Sequence, residues 1–163
     1  MELKRLIEEI TVHSGLLHEL LQVFERETVE MGDINIAAMS VSNQAKEELI
    51  AKISGHTEQF KRAIAALAVR EGLPATATLG TVAEHAAKKG NRTLLAKQQE
   101  IRDTADRIQQ VAALNREIAE HFSASATSTL GLITRLINQS NVYGASGGYQ
   151  QRPAGSVMIN REA

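Results

Sequence analysis

Prolines stand only at positions 74 and 153, and this scarcity of breakers constrains the chain more than any other feature. Proline removes an amide donor and clashes with the preceding helical turn, so long stretches without it leave helices free to run. Apolar residues then repeat at helical spacing. From the N-terminus, Leu3, Ile7, Ile10, Leu17, Leu21 and Phe24 follow a three–four step, widened by Leu6, Leu16 and Leu20. The pattern predicts an amphipathic helix of roughly 30 residues, about 45 Å long at 1.5 Å per residue. Gly32 gives it a place to stop, and Asp33 offers a capping side chain to the next helix.

A second helix is expected from about Ile34 to Glu71, with a stripe of Ala38, Val41, Ala45, Leu49, Ile53, Phe60, Ile64 and Leu67 and with His56 in an apolar register position. Gly72 at the position after its cap, and Pro74 beyond, close it. Residues 75–80 read as a connector and Thr81–Lys89 as a short helix ended by Gly90 and Asn91. A third long helix begins near Arg92 and repeats Leu94, Ile101, Ala105, Ile108, Ala112, Ala119 and Phe122, with Asn115 in its seam. An asparagine in such a seam fixes register. No strand-like alternation longer than a few residues occurs before residue 141. The expected fold is all-α: an elongated antiparallel helical bundle or coiled coil of three long helices. Residues 1–140 form its helical domain, and residues 141–163, rich in Gly and Gln, a flexible C-terminal tail.

The stretch from Leu114 to Gly148 stands apart. Leu114, Ile118 and Phe122 keep helical spacing, Ser123–Thr129 is a run of small residues, and Leu130, Leu132, Ile133, Leu136 and Ile137 are apolar again. Two readings are open. The run is either a helix packed closely on a neighbour, or frayed for want of helix propensity; or it is a receiving surface completed by a partner's amphipathic helix, with Leu130, Ile133, Leu136 and Ile137 as anchors.

Composition excludes several functions. With 18 basic and 19 acidic residues the net charge is −1, which gives no electrostatic footprint for nucleic acid. Absence of cysteine removes disulfides, thiolate chemistry and Cys-based metal sites. The opening MELKRLIEEI lacks the apolar core of a signal peptide, and no apolar run approaches the ~20 residues of a membrane span, so a cytoplasmic protein without membrane insertion is expected. The histidines, His13, His18, His56, His85 and His121, form no metal-binding pattern, and no cofactor is expected. His85 with Lys88 resembles the spacing of a histidine phosphotransfer module, but Gly90 falls one residue late. Gly144–Gly148 follows a helix and not a strand, so it reads as a linker and not a phosphate cradle. Nothing in the residues supports an enzyme.

Several elements together give a family resemblance. A long first helix turns at Gly32-Asp33-Ile34; the second carries Lys46-Glu47-Glu48-Leu49-Ile50; a later helix holds Leu114-Asn115; and Tyr143-Gly144-Ala145-Ser146-Gly147 follows the last helix. This arrangement resembles the FlgN-type flagellar export chaperones over nearly the whole chain. The resemblance implies a chaperone for the two hook–filament junction proteins, holding their C-terminal helical segments until the export gate receives them. It implies a substrate surface on the last helix, among Leu114, Ile118, Phe122, Leu130, Ile133, Leu136 and Ile137, and docking on an export-gate component through Tyr143, Gly144 and Gly147. Exposed apolar turns without a partner would also favour a homodimer in isolation. A generic coiled-coil adaptor, or a chaperone of another secretion system, is the alternative from the residues alone.

Overall fold

The computed structural model describes residues 1–140, with side chains as far as Leu136. Four helices follow one another: α1 (Glu2–Gly32), α2 (Ile36–Arg70), α3 (Leu79–Lys88) and α4 (Thr93–Ser140). No strand occurs among the described residues, and the all-α expectation holds. The chain divides into two compact units, Met1–Ala119 and Glu120–Ala163.

Side-chain pairs give the register of the first unit. Glu9 meets His56 and Glu27 meets Lys46, so α2 runs antiparallel to α1. Ser14 meets Glu100 and Thr28 meets Asn115, so α4 runs parallel to α1. Gly32 lies four residues beyond Thr28, which closes the α1–α4 register near Ala119, where this unit ends. The short α3 packs Val82 and Ala83 onto the other end, beside Leu6, Ile10, Phe60, Ala63, Leu67, Ala68 and Leu94.

Three helices end in the same way. In each, the amide two residues past the cap reaches the carbonyl five residues back: Asn35 to Glu30, Leu73 to Ala68 and Asn91 to Ala86. This closure needs one residue in the left-handed region. Gly72 (φ 77°) and Gly90 (φ 95°) supply it for α2 and α3. At the α1–α2 turn the position falls on Ile34, at φ 53°. Gly32 is still helical, Asp33 caps α1, and Asn35 caps α2 by accepting from the Ala38 amide at 3.1 Å. Asp33 therefore does not cap the second helix as the sequence suggested; the turn is two residues longer. A β-branched residue there is strained by about 1–2 kcal/mol. Ile34→Gly should raise stability by about 0.5–1 kcal/mol, the relief being partly offset by glycine's larger unfolded-state entropy. Urea unfolding checks this, and a lower midpoint would contradict it.

The core alternates apolar and polar layers. One apolar layer is the α3-capped cluster; the second centres on Leu20, Val23 and Leu49 with Ile108 against it. The buried seam of α1 runs through Leu6, Ile10, Ser14, Leu20, Val23, Glu27 and Met31, so Leu3, Ile7, Leu17 and Leu21 flank it and do not form its centre. In α2 the seam takes Ser42, fully buried, and leaves Val41 66% exposed. Apolar periodicity cannot find Ser42, because that position is held by polar partners: its hydroxyl donates to Glu30 at 3.0 Å.

The first polar layer lies where His13, His56 and Phe60 stack, with His13–Phe60 ring centroids 4.6 Å apart. Glu9 accepts from Gln59 at 2.7 Å and from His56 Nε2 at 2.8 Å. A carboxylate can only accept, so His56 carries a proton on Nε2, and its Nδ1 lies 3.4 Å from His13 Nδ1. Burial, and then repulsion from His56, hold the His13 pKa below its usual value. The Gln59 hydrogen bond and then His56 lower Glu9; Lys97 and Ser14 lower Glu100.

These shifts have one sign. Unfolded His13 takes its proton near 6.5 and folded His13 only at lower pH. Between those values the unfolded chain binds more protons, so stability falls as pH falls. Glu9 and Glu100 add a second loss below about 4.5 as they are forced to protonate. A melting-temperature profile should therefore decline just below pH 6.5, and His13→Gln should flatten that first decline alone. An unchanged slope in the variant would refute the assignment.

The second polar layer joins three helices. Glu27 is 4% exposed; it pairs with Lys46 of α2 and accepts from Asn115 Nδ2 of α4 at 2.9 Å. Asn115 Nδ2 also donates to the Phe24 carbonyl at 3.0 Å, and the Thr28 hydroxyl donates to Asn115 Oδ1 at 2.6 Å. Lys46 lies over the Phe24 ring. Asn115 thus fixes the register of α4 against α1, as its place in the seam predicts.

Candidate functional site

The second unit contributes the end of α4. Its residues have modest helix propensity, with Ser, Thr and Gly131 throughout. Three threonines bond back along the helix: Thr127 donates to Ser123 O at 3.0 Å, Thr129 to Ser125 O at 3.0 Å and Thr134 to Leu130 O at 2.9 Å. Such bonds satisfy the hydroxyls locally and leave the helix without bulky anchors in its middle.

Every described side chain from Glu120 to Leu136 is exposed. Among them are Phe122 (41%), Leu130 (65%), Leu132 (58%), Ile133 (47%) and Leu136 (65%). At roughly 100° per residue, Phe122 and Ile133 fall at the centre of one face, Leu136 lies to one side, and Leu132 and Leu130 mark its two edges. The apolar arc between those edges is about 160° wide. Ser125, Ala126 and Thr129 lie inside it; Glu120 and Arg135 project from the other half of the helix. Large exposed hydrophobics gathered on one face and free of charge mark an interaction surface.

The expected substrate residues divide between the units. In the first unit Leu114 is 46% exposed and Ile118, one turn on, is half-buried. In the second, Phe122, Leu130, Ile133 and Leu136 share the arc just described. Ile137 belongs to α4, but its side chain, like Tyr143, Gly144 and Gly147, lies outside the described residues. Leu132 was missing from the expected anchors. Stepping 122–129–136 along the sequence would have placed it on the face, because it stands four residues before Leu136.

The described residues contain no group of three or more His, Asp or Glu able to hold a metal ion, and no helix long and apolar enough to cross a membrane. A cavity of about 110 Å³ between α1, α2 and α3 is lined by Leu3, Leu67, Arg70, Ala86 and Asn91 together with Glu71 and Lys89, which pair with each other at 2.6 Å. His85 Nε2 is buried, 4.0 Å from Glu71.

A helical hairpin clamped to a long last helix with an exposed apolar face is the arrangement to compare with known proteins. The family model described as FlgN protein matches residues 1–151. The chain belongs to the FlgN family. Neither the curated proteins nor the solved structures compared gave a match. FlgN-family membership gives this chain its general class, a chaperone of flagellar export that binds flagellar proteins.

Proposed function

We propose that this FlgN-family chain holds the C-terminal helical segments of the hook–filament junction proteins in the cytoplasm. It keeps them from premature assembly and delivers them to the export gate. One observation carries this reading: the uncharged apolar arc of Phe122, Leu130, Leu132, Ile133 and Leu136, exposed on a helix of modest intrinsic propensity. Leu114, Ile118 and Ile137 extend the apolar positions along the same helix. Tyr143, Gly144 and Gly147 are assigned to docking on the export-gate component.

Burying a Leu or Ile side chain fully contributes about 1.5–3 kcal/mol. Ordering the partner and the marginal helix offsets much of the sum, so binding is firm and still releasable. No step of the cycle calls for a nucleotide; release follows from hand-over to the gate. In the substrate-free protein the same arc supports a weaker homodimer that substrate dissolves. Gel filtration of the full chain with a full-length junction protein tests the reading. Co-elution, with less aggregation of the junction protein, is expected; separate elution at micromolar concentrations would overturn it.

A further inference from the structure

The width of the exposed arc says something about what fills it. A seam against one partner helix uses two apolar positions in seven, whereas a helix facing a core uses three or four. Between Leu130 and Leu136, four of seven residues are Leu or Ile: Leu130, Leu132, Ile133 and Leu136. Within the first unit, α4 sets the scale for comparison. Its buried residues Leu94, Thr104, Val111 and Asn115 span about 100° of the helix surface; Leu94 alone packs in a cluster drawn from α1, α2 and α3, and Asn115 bonds Glu27 of α1. An arc of about 160° therefore exceeds what a single helix covers.

We infer that the occupant of the 120–136 face is a pair of helices from one partner, a helical hairpin or two adjoining helical segments, and not a lone helix. The inference rests on the export-chaperone reading and names the form of its substrate. Leu130 and Leu132, on opposite edges, each meet a different helix of the pair, while Phe122 and Ile133 lie between them. Ser125 and Thr129 lie inside the arc and leave room for bulky side chains of the partner, as knobs entering holes. Charge complementarity narrows the partner further. The arc holds no Asp, Glu, Lys or Arg, so a charged contact face would be desolvated without a counter-charge. The matching surfaces are uncharged, rich in Leu and Ile, and about 21 Å long, the length from Phe122 to Leu136 at 1.5 Å per residue.

The test titrates the full chain with two fragments of a hook–filament junction protein, one holding its last helical segment and one holding two segments. The longer fragment should bind at least about tenfold tighter, and Leu130→Ala and Leu132→Ala should each weaken it about tenfold. Both residues are exposed, so neither substitution threatens folding. Equal affinity for the two fragments, with only one edge substitution felt, would overturn the inference and leave the chaperone reading standing. No binding of either fragment would remove both. A dimer that the fragments fail to dissolve, yet Leu130→Ala abolishes, would make a second copy the occupant and overturn it too.

Discussion

Lys46→Met is expected to lower the unfolding free energy by about 3 kcal/mol. The reason lies in Glu27. Its side chain is 5% exposed against 17% for Lys46, so removing the ammonium leaves a carboxylate in the interior with only Asn115 as a strong donor. The sign of a second substitution separates a lost pair from a lost contact. Glu27→Met together with Lys46→Met should be more stable than Lys46→Met alone, because the uncompensated charge is then gone. Asn115 keeps its bonds to the Phe24 carbonyl and to Thr28 in that background. Chemical denaturation of the four proteins of the cycle measures this, and a double variant weaker than either single one would contradict it.

The second large effect concerns binding and not stability. Ile133→Asp places a charge at the centre of the α4 arc, where 47% of the residue is exposed in the free protein. Folding should be almost untouched, since the aspartate stays in water. A substrate helix pressed against it would bury an unpaired carboxylate at a cost of several kcal/mol, enough to weaken binding more than a hundredfold. Ser128→Asp, on the polar half of the same helix, should change affinity little.

Much of this was legible in the sequence, for identifiable reasons. Pro74 and the left-handed Gly72 ended α2 where their backbone preferences require, and Asn115 announced itself as a polar residue in an apolar seam. The polar layers were harder to see. Ser42 and Glu27 are buried because Glu30, Lys46 and Asn115 reach them from other turns and other helices, and no one-dimensional pattern of apolar residues records such partners. Val41, adjacent to Ser42 and more hydrophobic, was the natural but incorrect choice for the seam. At the α1–α2 turn Gly32 suggests the stop, but the helix runs through it, and the bonds from Ile34 and Asn35 place the left-handed residue at Ile34. On α4 the apolar face was visible from spacing. Its width was not, because an anchor list that includes Leu130 and omits Leu132 covers one edge only.

If the exposed arc of α4 holds a junction protein's C-terminal helical region, calorimetric titration of that region into the wild-type chain and into Ile133→Asp, with circular dichroism to verify equal helicity, will separate the two proteins. Micromolar or tighter binding to the wild type and at least a hundredfold loss in the variant are expected. Equal affinity for the two folded proteins would place the substrate elsewhere on the molecule and contradict that expectation.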